Sequence, residues 1–539
     1  MSIFSIGVSG LNTARMALNT TSNNIANVNT PGYNRELAML AERKAGGGTE
    51  VSDIERQFDQ YIASQHNSAA GRLASLDSYQ IQVSQIDNLL ADTGSGVAAV
   101  MENFFSALQD LTAAPSDPAA RQGVIGTAES LTAQFRSLDS YLDDMQERIN
   151  GEIDSEMTQI SNTAKEIAEL NHQISVARSR SGEAPNALLN QRDHLVAEIN
   201  QRLDVDLHVQ GSNYNLTVAN GQPLVAGTQA YGLAGMQSPD DPSRTVVAYV
   251  DSAGNRMQLD EGEFEDGRLG GLIRFRSETL DGVQNRLGQM AVSLAAGFNE
   301  QHEAGTDLLG DPGERFFSVS QPQVFSHAGN AGGAEMSGAI EDHRGLSGED
   351  YNLRVSDAAA GEFEVSRRDG SESFTAVLDA GNQLQFDGLT LSIDDPTLLV
   401  DGHRYQLQPT RRAAGEIDTL IQETARIAAA QSTSSGDNRN ALALEQLQSV
   451  SLVGGEASLS QAYASLVGEV GNQSNIIQAN RSAQESLTGY IRSVQQSESG
   501  VNLDEEAANL IRYQQYYQAN AKVIEVGATV LDTLLNLRA

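Results

Sequence analysis

Eight histidines, 71 acidic residues and no cysteine are the side chains of this 539-residue chain from which chemistry could be built. The lack of cysteine excludes disulfides, thiolate zinc sites and cysteine nucleophiles. His66, His172, His194, His208, His302, His327, His343 and His403 form no His-Glu-x-x-His pair and no other metal-ligand spacing. There is no G-x-S-x-G elbow, no phosphate-binding P-loop and no G-x-G-x-x-G after a strand pattern. Carboxylates are so numerous that a glycosidase-like pair could be drawn anywhere, so none is singled out. Asp394 and Asp395 with Asp401, and Asp240 with Asp241, could hold calcium loosely. Neither group follows the twelve-residue calcium loop, and solvated acidic turns explain both better. The expectation is a non-enzymatic chain without catalytic, cofactor or metal site.

The residues that recur at meaningful spacing are apolar. Phe4, Leu11, Leu18 and Ile25 lie seven apart, with Ala14, Thr21 and Val28 three further on, which describes one helix with a narrow coiled-coil seam. It ends at Asn29-Thr30-Pro31-Gly32-Tyr33, where the residue before proline is pushed out of the helical region and Pro-Gly suits a type II turn. The other end of the chain mirrors it. Leu503, Leu510, Tyr517, Ile524 and Leu531 keep a strict seven-residue repeat, with Ala507, Ala521, Ala528 and Leu535 four further on. Asn502 and Glu505 form a capping-box pattern, and Asp504, Glu505 and Glu506 suit the helix N-terminus. About 36 residues at 1.5 Å each make roughly 54 Å of helix. The first helix, rich in Asn, Thr and Ser, is marginal alone in water. Leu510, Tyr517 and Ile524 are therefore expected to be largely exposed in an isolated monomer and covered in an assembly.

Between these ends the pattern changes twice. Helical periodicity predicts helices over about 58–91, 98–113, 118–180, 186–203, 270–303, 413–430 and 458–498. Residues 204–262 and 316–410 alternate as strands, with turns at Asn220-Gly221 and at Ala253-Gly254-Asn255. The fold class expected is mainly α with inserted β domains (α+β). The terminal helices pair as a coiled-coil rod, and the β domains project outward with small cores of their own. The division is 1–35 with 500–539 as the terminal coiled coil; 36–203, 263–315 and 411–499 as a helical rod; and 204–262 and 316–410 as outer β material. The net charge of −36 is carried by the middle, since residues 1–35 hold only Arg15 and Arg35. Such a surface repels nucleic acid and anionic lipid. No secretory signal and no spanning apolar run is evident, so membrane insertion is not expected.

The string Ser22 to Tyr33 (SNNIANVNTPGY) resembles the N-terminal motif shared by the rod, hook and hook-associated proteins of the bacterial flagellum. Asn23, Asn24, Asn27, Pro31, Gly32 and Tyr33 carry it. Gly500 to Lys522 is similar to the other end of that axial family, and its DEEAANLIRYQQ wording resembles the hook-associated members more than hook or rod proteins. Asn520-Ala521 is a hook-like departure. Leu188–Leu195, Phe298–Gly310 and Asp437–Leu444 resemble the same hook-associated members, so the likeness spans most of the chain. It implies a structural subunit that assembles with itself between hook and filament, its terminal helices forming the inner tube. The implied partners are the hook protein, a neighbouring hook-associated protein or flagellin, and a small cytoplasmic chaperone on the C-terminal helix. Export unfolded through the flagellar channel, without a cleaved signal, is implied as well. The rival readings are a hook or distal rod protein, a cytoplasmic coiled-coil scaffold, and a secreted hydrolase. The FNEQHEAGTDLLG run and the helical 58–203 region argue against the first, the paired terminal motifs against the second, and the missing catalytic constellation against the third.

Overall fold

The computed structural model describes residues 3–536 apart from 44–46, 92–95, 182–184, 219–220, 331, 369 and 435. The turn expected at Asn220 thus lies outside the described residues. The chain begins with α1 (Ile3–Ala26) and a hairpin, β1 (Glu36–Glu42) and β2 (Thr49–Arg56). Four helices follow: α2 (Gln60–Leu90), α3 (Val97–Ala113), α4 (Pro118–Ser181) and α5 (Asn186–Arg202). The first β region holds β3 (Asp206–Gln210), β4 (Asn213–Thr217), β5 (Pro223–Ala226), β6 (Gln229–Ala230), β7 (Gly232–Gln237), β8 (Thr245–Val250) and β9 (Arg256–Gln258). Next come α6 (Gly267–Arg274), one π-helical turn (Phe275–Leu280) and α7 (Asp281–Glu303). The second β region contains β10 (Gln323–Ser326), β11 (Met336–Ile340), β12 (Tyr351–Asp357), β13 (Glu362–Arg367), β14 (Ser373–Val377), β15 (Gln383–Phe386), β16 (Leu389–Ile393) and β17 (Arg404–Gln408). The short helices α8 (Ala413–Glu416) and α9 (Arg439–Gln446) lead into α10 (Leu459–Ser499) and α11 (Leu503–Asn536).

The axis of the rod is α4, 64 residues and roughly 95 Å long at 1.5 Å per residue. Leu131, Phe135, Leu138, Leu142, Met145, Ile149, Ile153, Met157 and Ile160 recur along it at three- and four-residue steps, and all are buried. Against that stripe pack α3, α5, α6 and α7 and the strands β5 to β8. Aromatic side chains close one part of this core: Phe104, Phe298, Phe316 and Phe317 meet edge to face or tilted, with centroids 4.8–5.9 Å apart. Alongside, α2 and α10 run antiparallel, joined by Tyr463 Oη to Leu90 O at one end and Gln484 Nε2 to Ala69 O towards the other.

All described strand pairs are antiparallel. The second β region makes a five-stranded sheet, ordered β10-β17-β12-β13-β14, and a three-stranded one, β11-β16-β15. They enclose a core of their own, including Tyr351, Leu353, Val355, Phe363, Val365, Leu391 and Leu407. The first β region differs from expectation. Tyr214, Leu216, Val225, Leu233, Val247 and Tyr249 belong to the same apolar cluster as the helices, so residues 204–262 have no small core of their own. Their sheets lie along α4 and bury one face on it.

Two further expectations are corrected. Residues 413–430 are not a helix: only Ala413–Glu416 is helical and Thr424–Arg426 is a single 3-10 turn. Backbone groups there bond outward instead, Leu420 N to Phe316 O, Leu308 N to Ala425 O and Thr306 N to Ala430 O. Glu36–Glu42 and Thr49–Arg56, assigned above to the helical rod, pair as the β1–β2 hairpin, with a bulge between Met39 and Leu40.

Candidate functional site: the paired chain ends

Helices α1 and α11 lie antiparallel, and small residues set how closely they approach. A Cβ on Gly7 would lie 2.6 Å from Ile524 Cγ1, and one on Gly10 would lie 2.2 Å from Asn520 Oδ1. Gly527 faces Ile3 and Phe4 from the other helix. The buried face of α1 is accordingly Gly7, Gly10, Ala14, Ala17, Thr21 and Asn24. The hairpin covers another side, where Thr13 Oγ1 donates to Thr49 O at 2.9 Å.

A polar knot closes the far end of the pair. Asn24 is 1% exposed, and its Oδ1 accepts from Tyr33 Oη at 2.8 Å and from Glu36 N at 3.0 Å. Its Nδ2 donates to Glu36 O and, across the helix pair, to Glu506 Oε2 at 3.1 Å. Glu506, also 1% exposed, receives Arg35 Nε at 2.8 Å, while Arg35 NH1 reaches Glu505 at 2.7 Å. Arg35 N donates to Ser499 O, tying the knot to the end of α10. Burial, then Glu36 and Glu506, holds the Tyr33 phenol well above its usual range, so Tyr33 remains a donor. Asn502 Oδ1 caps α11 by accepting from Asp504 N and Glu505 N.

The turn between α1 and the hairpin is fixed by local bonds. Asn27 Nδ2 donates to Asn23 O, and Thr30 Oγ1 donates to Asn27 Oδ1. Asn23 is exposed, its amide 3.5 Å from both Tyr33 Oη and Glu36 Oε2. Pro31 is exposed. Gly32 has φ +74°, and a Cβ there would stand 2.8 Å from His194 Cβ, so glycine is required twice over. Asn34 Nδ2 and Arg56 NH1 both donate to Asn190 Oδ1, and Arg56 pairs with Asp193, anchoring turn and hairpin to α5.

The apolar seam residues are placed unevenly. Phe4, Leu11, Leu18, Ile25, Leu510 and Ile524 are half-buried within the chain itself. That corrects the expectation of exposure for Leu510 and Ile524, since α1 already covers part of them. Tyr517 is exposed, as are Leu503, Leu531 and Leu535. The seam pattern does not show Arg35 as the partner of Glu505 and Glu506. A basic residue near one end and acidic residues near the other were the signal for it.

The other motifs are clamps. Asn299 Oδ1 accepts from Phe316 N and Phe317 N, and His302 spans Glu314 O and Ala428 N. Asn440 Nδ2 donates to Ala428 O and Asn438 Nδ2 to Thr112 O. Arg192 lies 3.5 Å over the Tyr214 ring. Of the acidic residues weighed for calcium, Asp395 receives Thr397 N in its own turn and Asp401 receives Ala358 N from a distant one. Asp241 corrects the expectation of a solvated turn, since it is 1% exposed, accepts from Ser243 N and faces Arg244 and Arg411. Among the described residues no group of His, Asp and Glu is placed to hold a metal ion, and no helix is long and apolar enough to cross a membrane.

Comparison with known proteins decides what these paired ends belong to. Residues 83–317 match the helical domain of the flagellar hook-associated protein FlgK. Residues 4–34 match the flagella basal body rod protein family, and 495–537 the C-terminal family of flagellar basal body rod FlgEFG proteins. Flagellar hook-associated protein 1 of Escherichia coli is 40% identical over 550 residues, covering 100% of both chains. The chain belongs to the flagellar hook-associated protein 1 family. Its Bacillus subtilis relative is 24% identical over 98% of this chain and 97% of its own. The flagellar hook junction protein FlgK from Burkholderia pseudomallei has the same architecture, with a TM-score of 0.75 and 26% identity over 80% of this chain and 99% of that one. As a member of the hook-associated protein 1 family, the chain is a structural component of the flagellum at the junction between hook and filament. The polar knot joins the two segments that match rod families, whereas the part matching the hook-associated helical domain, 83–317, holds α3 to α7 and the first β region.

Proposed function

We propose that the chain assembles with copies of itself through its terminal helix pair, which forms the inner wall of the junction, while the rod and β regions make the outer contacts. The observation that carries this reading is a second stripe on α11. Tyr516, Val523, Val526, Val530 and Leu534 are 39–60% exposed and recur at steps of three, four and seven, off the face that meets α1. Gly527 already faces Ile3, so α11 runs on through Leu531, Leu534 and Leu535 beyond the first described residue of α1. Heterologous contacts that do not close give helical assemblies rather than dimers. The neighbours are other copies, the hook protein on one side, and a further hook-associated protein or flagellin on the other. Before export, a small cytoplasmic chaperone covers the same stripe and keeps the chain from assembling early. The protein then leaves unfolded through the flagellar channel. The working division of the chain is the one set out from the sequence: terminal pair, helical rod and β material.

Val526→Asp tests the assembly surface. The monomer should melt as before, because Val526 is 52% exposed, while junctions fail and flagellin is shed into the medium. Wild-type motility of Val526→Asp would refute the proposal. Leu510→Asp serves as contrast, since it strikes the half-buried face and should free α1 and α11 even in the monomer.

A further inference from the structure

A cluster of buried charges lies where the second β region meets the rest of the protein. Asp241 and Arg244, in the turn between β7 and β8, and Asp281, at the start of α7, form one side. Asp350, Arg368 and Arg411 form the other, at the edges of the second β region. Arg411 touches Asp350 within its own side and crosses to Asp281 at 3.3 Å and Asp241 at 3.8 Å. Arg368 NH1 lies 3.9 Å from both Asp281 and Asp350, and Arg244 contacts Asp281. Gln408 Nε2 donates to Asp241 Oδ2 at 2.9 Å. Five of these six ionic side chains are 6% exposed or less, Arg368 being the exception at 27%.

The charges balance only across the joint. Two acids and one arginine give the inner side −1, and one acid and two arginines give the outer side +1. Hydrogen bonds cross the joint as well: Gln289 Nε2 to Leu346 O, Thr410 Oγ1 to Asn285 O and Ala328 N to Pro239 O. Among the described residues, the apolar core of the second β region takes Val292 and Ala413 from the rod. A buried ion cluster adds little net stability over an apolar contact of the same size, but it is satisfied in one relative position.

We propose that this six-charge cluster is an orientation lock: it fixes the direction of the second β region on the rod, and the region swings as a folded body once the lock is broken. The joint has one setting in which the opposite charges meet across it and, once water enters, a loose one.

Because the chain has no cysteine, Thr375→Cys on β14 and Ala483→Cys on α10, both exposed, place two spin labels across the joint without further changes. Electron–electron distance measurement should give a narrow distribution in the full chain. Arg411→Gln with Asp350→Asn removes one charge of each sign and should roughly double the width while both folded parts keep their melting transitions. Arg368→Gln, at the rim of the cluster, should broaden it less. It decides the matter if the double variant fails to fold. Arg354→Gln with Glu364→Gln, an exposed pair within the same β region, should leave the width unchanged. A broad distribution in the unaltered chain, or an unchanged width in Arg368→Gln and in a folded double variant, would overturn the proposal.

Discussion

Asn24 shows how much one side chain can hold. Its amide serves the turn through Tyr33, the hairpin through Glu36 and the far end of the chain through Glu506. Asn24→Asp should set a carboxylate against Glu506 in a buried site and loosen the terminal pair by about 3 kcal/mol. Adding Glu506→Gln should recover most of that loss by restoring a donor, with amide exchange in α1 and α11 as the readout. A second residue-scale effect is electrostatic. Burial, with Asp143 next and Glu416 adding, pushes the Asp139 carboxyl up to about 7 against the pull of Arg412. The folded chain then keeps a proton that the unfolded chain releases, so this group favours folding more as pH falls from about 7 towards 4 and opposes it above 7. Asp139→Asn should raise the melting temperature at about pH 8 and change it little near pH 5. A melt equally shifted at both pH values would exclude that account.

At the scale of elements, the long helices were legible because their buried stripes are long and regular, as on α4 and α10. The strands of the second β region were equally legible: Tyr351, Leu353 and Val355 alternate inward on β12. Residues 413–430 misled because Ile417, Ile421 and the run Ala428–Ala430 satisfy a helical pattern, yet Arg121 and neighbouring loops compete for their backbone. Arg121, 2% exposed, donates to Thr424 O at 2.8 Å and Ile427 O at 2.9 Å, which no local pattern could reveal. Arg121→Met should leave these carbonyls short of partners, cost about 2–4 kcal/mol and speed exchange across 417–430 before α4 is affected. The hairpin carried a signal in Gly46-Gly47-Gly48 between two extended runs, but its strands lack strict alternation because both faces are partly covered. For the terminal site, the motif residues were legible as a set. Their partners were not, because Asn24 and Glu506 are 482 residues apart.

For the whole molecule, the dominant long-range fact is a net charge of −36 on 57.5 kDa. Like charges spread over the rod and β regions repel in the folded chain at distances that salt screens. Raising sodium chloride from about 20 mM to about 0.5 M should therefore raise the melting temperature by a few degrees, whereas an unscreened ion-pair architecture would lose stability. A fall in melting temperature with salt would show that favourable ion pairs outweigh the repulsion.

The antiparallel pairing of α1 with α11 has a kinetic side. Once the rod has folded, Arg35 and Ser499 are already bonded, so both helices hang from one point on short tethers. Each then sees the other at the millimolar effective concentration typical of short linkers. A helix from another copy, at micromolar concentration in solution, cannot compete for that face. Exchange of terminal helices between free subunits should accordingly be rare, and recruitment at the growing end has to use the stripe that the tethered partner leaves open.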